Sequence, residues 1–217
     1  MRTDIFRKAA LTAAAFTATA GGIAGPAVAA NAAPSNAPTS AVQSERKPAG
    51  ERQLNVKYEA QPNFYYCGPA AARNALSVQD KLIDVEDMAN RMGTTESGTN
   101  SINDITPVLN KETGRDAYRS VEISSPEADG KQTDTLRADI VAAVDEGHAV
   151  VANIAGTATD IDGGTHSFEG GHYVSVVGYR DGGNIVKIAD SADPASASYE
   201  LDVDTLADWI ATRGYAH

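Results

Sequence analysis

A single cysteine among 217 residues, Cys67, lies in the segment Gln61-Pro-Asn-Phe-Tyr-Tyr-Cys67-Gly-Pro69. One thiol cannot close an intramolecular disulfide, so a disulfide scaffold, a Cys-rich zinc module and an iron–sulfur protein are excluded. Taken alone, a lone cysteine is more often a small buried hydrophobe than a nucleophile. Its setting argues the other way. Gly68 and Pro69 open an Ala-rich helical stretch, and the unpaired N–H groups and dipole of a helix N-terminus favour thiolate over thiol. A thiolate that attacks a carbonyl also needs a proton-transfer partner. Of the four histidines, His172 alone opens an apolar strand behind two glycines, in Glu169-Gly-Gly-His172-Tyr-Val-Ser-Val-Val-Gly178. A ring there is rigidly mounted yet approachable by a substrate. His148, between Gly147 and Ala149, reads as a turn residue or helix-dipole partner. His166 reads as a solvated loop residue, and His217 as a terminal one.

A third group should orient the imidazole and stabilise its charged form. The strand after His172 turns at Asp181-Gly-Gly-Asn184 and returns as Ile185–Ala189. A tight turn of this kind sets His172 opposite about position 193, so Asp190 and Asp193 both fall near it. Asp190 is preferred because it ends the apolar strand directly, with Asp193, just before Pro194, as the alternative. Gln61 precedes Cys67 by six residues; a short loop would bring its amide beside the sulfur, where it and the Cys67 N–H would hold a developing oxyanion.

Elements must carry these groups into contact. Leu54–Val56–Tyr58 alternates as a strand does, and Pro69–Val78 reads as a compact helix with Pro in its first turn. Asp84 and Ser101 are cap signals for two further helices, the first ended by Gly93, and another is expected over about Asp134–Glu146. Strands are expected at Ala149–Ile154, Tyr173–Tyr179 and Ile185–Ala189, then a last helix from about Asp204. Helices first and an antiparallel sheet later make an α+β domain. The glycine-rich stretch from Gly156 to Gly171 is expected to be a mobile lid, and Asp160-Ile-Asp162-Gly163 a solvated loop rather than a calcium loop, since Gly171 stands where a ligating Glu is needed. Phe64, Tyr65 and Tyr66 suit either a substrate wall or packing under the first helix.

Gln61 six residues before Cys67, the run Cys67-Gly-Pro-Ala70, the late Gly170-Gly-His172-Tyr-Val174 and the strand-ending Asp190 together resemble the peptidase C39-like branch of the papain superfamily. The resemblance spans most of residues 53–217. It implies a papain-like fold with N-terminal helices packed on a C-terminal antiparallel sheet. It also implies Cys67 as nucleophile, His172 as general base, Asp190 as the group orienting His172, and Gln61 in the oxyanion hole. The His172–Asp190 interval of 18 residues is slightly longer than the family pattern. Classical members are fused to a transporter and clip double-glycine leaders inside the cell, a role not carried over to a chain with an export signal.

That signal is read from Arg2, Arg7 and Lys8, the apolar run Ala9–Ala20 and the small-x-small triplet Ala27–Ala29. Residues 1–29 are therefore expected to be a signal peptide, 30–52 a disordered linker or pro-segment rich in Ala, Pro and Ser, and 53–217 the folded domain. The net charge is −11; without residues 1–29 there remain 15 positive and 28 negative residues. Such a balance argues against nucleic acid or an anionic membrane as partner. No metal-ligand spacing or nucleotide-binding loop is present, and no cofactor is expected. The expectation is a secreted, extracellular, monomeric cysteine peptidase acting on a peptide or protein substrate. Cell-wall (murein) amide hydrolysis is the alternative chemistry, and a catalytically silent papain-like binding or inhibitor module the alternative class.

Overall fold

A computed structural model describes residues 50–217; the expected signal peptide and residues 30–49 of the expected linker lie outside the described residues. Regular pairing starts at Arg52, one residue before the expected domain boundary. Strand β1 (Arg52–Gln53) is followed by α1 (Cys67–Ser77), α2 (Val85–Met92) and α3 (Ile102–Thr113). The strand expected over Leu54–Tyr58 does not form. Leu54 N–H donates to Val177 O at 2.8 Å, after which the segment is held by α1 side chains instead of a neighbouring strand. Buried Asn74 brackets the Glu59 peptide, accepting from its N–H and donating to its carbonyl, each at 2.9 Å.

The helix boundaries follow cap chemistry. Asp84 accepts from the N–H groups of Glu86 and Asp87, and left-handed Gly93 ends α2. Ser101 and Asp104 close a capping box at the start of α3. Helix α4 (Gly130–Asp145) begins four residues before the expected Asp134, because Asp129 and Gln132 form a second capping box. Strands β2 (Ser120–Glu122), β3 (Val150–Thr159), β4 (Thr165–Arg180), β5 (Ile185–Ala189), β6 (Ser198–Asp202) and β7 (Gly214–Ala216), with α5 (Val203–Ile210) before β7, complete the domain.

The seven strands form one antiparallel sheet in the order β2-β7-β3-β4-β5-β6, with β1 on β4. Period-two alternation divides its central strands between two cores. Ala149, Val151, Tyr173 and Val177 pack with α1, α2 and α3. Val150, Ala152, Ile154, Val174 and Val176 pack with α4 and α5 on the other face. The helices of the N-terminal half thus cover one face of the sheet, as the α+β reading requires, and α4 and α5 cover the other.

The stretch Gly156–Gly171 is not a loose lid. Apart from the turn at 160–164, it is β-hairpin: Gly156 pairs with Phe168, Thr157 with Ser167, Ala158 with His166 and Thr159 with Thr165. Asp160 organises the turn, accepting from the N–H groups of Asp162 at 3.0 Å and Gly164 at 2.7 Å. Threonine and the aromatic Phe168 favour a pleated surface, a signal that the glycine content masked.

Candidate active site

Helix α1 is buried all round, which is unusual for an amphipathic segment and possible here because Ala70, Ala71, Ala72 and Ala75 let neighbours approach its backbone. Ser175 of β4 donates to Ala71 O at 2.7 Å, a direct tie between helix and sheet. Gly68 is required for a related reason. A Cβ there would lie 2.5 Å from Thr99 Oγ1 and 2.9 Å from Thr99 Cβ, so only glycine lets the 94–99 loop reach the helix start. These contacts fix Cys67 as the first residue of α1. Its cap, Tyr66, supplies no side-chain acceptor to the first turn, leaving that end of the helix electropositive. Cys67 is 8% exposed and lines an open cleft of about 460 Å³; it is not sealed in hydrocarbon.

Strand β4 brings His172 to the same place. Its Nε2 stands 2.7 Å from Asp190 Oδ1, with both side chains 4% exposed. The last β4–β5 pair before this contact is Ser175 with Ala189, so the strand-ending position predicted for Asp190 is the one that meets the ring. Asp193 turns elsewhere, capping the 3₁₀ turn Pro194–Ser196 through Ala195 N–H at 2.9 Å. Burial opposes a charged His172, but the hydrogen bond and charge of Asp190, together with the neighbouring Cys67 sulfur, raise its pKa to about 9. With Nε2 taken by the carboxylate, Nδ1 is the nitrogen left for the sulfur.

Three groups that sequence reasoning missed hold this pair. Tyr199 of β6 donates its hydroxyl to Asp190 Oδ2 at 2.9 Å, and Ala192 N–H donates to Oδ1 at 2.9 Å. Burial works against the Asp190 anion, yet these donors and His172 bring its pKa below the ordinary carboxylate value. Phe168 stacks on His172, ring centroids 4.0 Å apart and planes 17° from parallel. Nothing local marks Tyr199 or Phe168. They reach the site through strand pairing across β5–β6 and up the β3–β4 hairpin.

Gln61 is anchored to the residue after Asp190. Its N–H donates to Ser191 O at 2.9 Å and its Oε1 accepts from Ser191 Oγ at 3.0 Å, while Nε2 donates to Asn63 O at 2.8 Å. Gln61 therefore joins the Cys67 and Asp190 loops, but it is not among the groups lining the cleft. The aromatic run divides between both expected roles. Phe64 and Tyr65 line the cleft, whereas Tyr66 is buried and donates to Glu86 Oε2 at 2.8 Å.

The other histidines are engaged apart from Cys67. His148 is buried against Arg115, its Nε2 2.6 Å from Nη2. His217 is buried beside Asp139 and Arg119. His166, read as solvated, is instead largely covered, pairing with Asp160 at 2.9 Å and stacking on Tyr199 at 3.6 Å.

Comparison with known proteins agrees with this architecture. The chain is similar to a C39-like peptidase from Bacillus anthracis, at 14% identity and a TM-score of 0.51 over 76% of this chain and 96% of that one. It is also similar to the peptidase domain of Streptococcus ComA, a bi-functional ABC transporter involved in quorum sensing (15% identity, TM-score 0.48, 76% and 95% covered). A third similar structure is a double glycine motif protease from an AMS/PCAT transporter in complex with the leader peptide (13%, 0.45, 76% and 91%). No curated protein matches. The sequence model of the Peptidase_C39 like family matches residues 53–217, and the chain belongs to that family.

Proposed function

We propose that the protein is an exported cysteine peptidase that hydrolyses peptide bonds with Cys67, His172 and Asp190 as its catalytic groups. The observation that carries this reading is the buried His172–Asp190 contact at 2.7 Å beside the chain's single cysteine. A ring with a pKa near 9 is protonated at neutral pH, so it holds the proton the leaving amine will need, and its charge and the α1 N-terminus favour the anionic sulfur as the attacking species. The Cys67 sulfur attacks the carbonyl carbon. The oxyanion is received at the α1 N-terminus by the Cys67 N–H; the Gln61 amide can join it only by giving up its bond to Asn63 O. His172 gives its proton to the departing amine as the C–N bond breaks, leaving a thioester. Water then attacks that thioester, His172 takes the water's proton, and the carboxylic acid leaves as the sulfur regains its charge. Asp190 keeps the ring oriented throughout.

Incubation with a peptide library and a thiol-directed probe tests the reading. Cleavage and rapid labelling are expected for the wild type, no cleavage for Cys67→Ala, and slow labelling for His172→Ala. A folded wild type that cleaves no peptide, or a Cys67→Ala variant that still cleaves, overturns it. Export follows from the basic, apolar and small-x-small order of residues 1–29. Mass spectrometry of protein recovered from the medium should give an N-terminus at Ala30, or at Ala33 where the second small-x-small triplet Ala30–Ala32 is cut, and retention of residues 1–29 refutes it.

A further inference from the structure

The cleft that Cys67 lines also carries a cation for which no ion pair is found among the described residues. Arg213 lines the cleft together with Phe64, Tyr65, Glu96 and Tyr173. Its buried Nε has no hydrogen-bond partner, and none of the ion pairs among the described residues includes it. Every other arginine of the described segment meets a carboxylate or, for Arg115, a histidine. In a chain with 29 acidic and 18 basic residues, an arginine unpaired within a polar cleft is the exception. Glu96, the one acid on the same lining, is exposed at the rim and lies beyond ion-pair distance of Arg213.

The backbone holds Arg213 in place. Thr212 has φ +66°, a left-handed conformation that β-branched residues avoid and that persists only where surrounding bonds enforce it. Those bonds are present: Thr212 N–H donates to Ser125 O at 3.1 Å, Arg213 N–H to Ile210 O at 2.8 Å, and Ile123 N–H to Arg213 O at 2.9 Å. The guanidinium lies against Gly171, the residue before His172; a Cβ there would be 3.5 Å from Arg213 Nη2. A planar fork of donors, partly desolvated and fixed on the lining it shares with Cys67, matches a carboxylate in charge and shape.

The geometry points to Arg213 as a specificity residue that binds a substrate carboxylate, so that preferred peptides carry an acidic side chain or a free C-terminus close to the scissile bond. The inference rests on the proposed peptidase reading for its substrate class, but its first test does not. The single thiol allows alkylation of Cys67 by anionic iodoacetate and neutral iodoacetamide to be compared directly, and the charge of His172 is common to every variant. The iodoacetate-to-iodoacetamide rate ratio should fall about tenfold in Arg213→Gln, the scale of one charge-assisted hydrogen-bonded contact, and less in Arg213→Lys. An unchanged iodoacetamide rate shows the site intact. A ratio that stays within about twofold of wild type in a variant with that rate unchanged overturns the assignment.

Matched peptides then separate the two carboxylate sources. A Glu-over-Gln preference lost in Arg213→Gln assigns the subsite to side chains, and a free-acid-over-amide preference lost in the same way assigns it to C-termini. Peptides cleaved with neither preference sink the substrate assignment while the peptidase reading stands. A wild type that cleaves nothing but keeps an Arg213-dependent alkylation ratio sinks the peptidase reading while the anion subsite stands.

Discussion

At the scale of the residue, the site is a chain of donors and acceptors ending at one sulfur. Tyr199 donates to Asp190, Asp190 accepts from His172, and His172 faces Cys67. With the ring titrating near 9, the rate of peptide cleavage should decline as pH rises through about 9, because the leaving amine then lacks its proton donor; a pH profile of kcat/KM checks this. Tyr199→Phe leaves a buried Asp190 oxygen one donor short, which should cost about 1–3 kcal/mol in urea unfolding. In that variant the alkaline limb should move to higher pH, since the carboxylate charge is shared with fewer donors and binds the imidazolium more strongly. A variant that loses stability with its limb unmoved would make Tyr199 a packing residue alone. Cys67 and His172 were legible from motif, and Asp190 from its place at the end of the apolar strand, since hairpin register alone set His172 opposite about position 193. Tyr199, Phe168 and Arg213 were not, because their partners lie on other strands and nothing in their own neighbourhoods announces them.

Among the elements, those with side-chain caps were the easiest to read. Asp84 and Ser101 marked two helix starts within a residue. The strands divide by length and composition. Apolar β5 was legible to the residue, whereas β2 and β7 have three residues each and β6, Ser-Tyr-Glu-Leu-Asp, presents too few apolar positions to reveal a period. The hairpin that replaces the expected lid has a direct test. Amide hydrogen exchange should be slow at the paired positions Ala158 and His166 relative to the exposed turn residue Asp162, and uniform fast exchange across 156–171 would restore the lid. At the other end of the site, Gly68→Ala should cost about 1–3 kcal/mol through the clash with Thr99. Adding Thr99→Ala should return part of that loss, as a double-mutant cycle in urea would measure.

For the whole molecule, the buried imidazole ties stability to pH. Its folded pKa near 9 lies above the ordinary 6.5, so its contribution is complete below about 6.5 and disappears as pH rises through about 9. A shift of that size is on the order of 3 kcal/mol. Asp190 acts oppositely: with its pKa depressed below 3.8, its contribution is complete above that value and is lost on further acidification. Urea midpoints should therefore fall between pH 6.5 and 10 in the wild type and fall less in His172→Gln, and parallel curves would refute the link. Assembly order carries a last consequence. Strand β7, residues 214–216, fills the slot between β2 and β3, with Ala216 meeting both Ser120 and Val151. A nascent chain halted before Gly214 already contains Cys67, His172 and Asp190, yet β3 has a raw edge and α3 a half-built floor. The sheet that carries His172 therefore closes only once residues 214–216 are in place, so its last stretch of edge is sealed by the strand farthest along the chain.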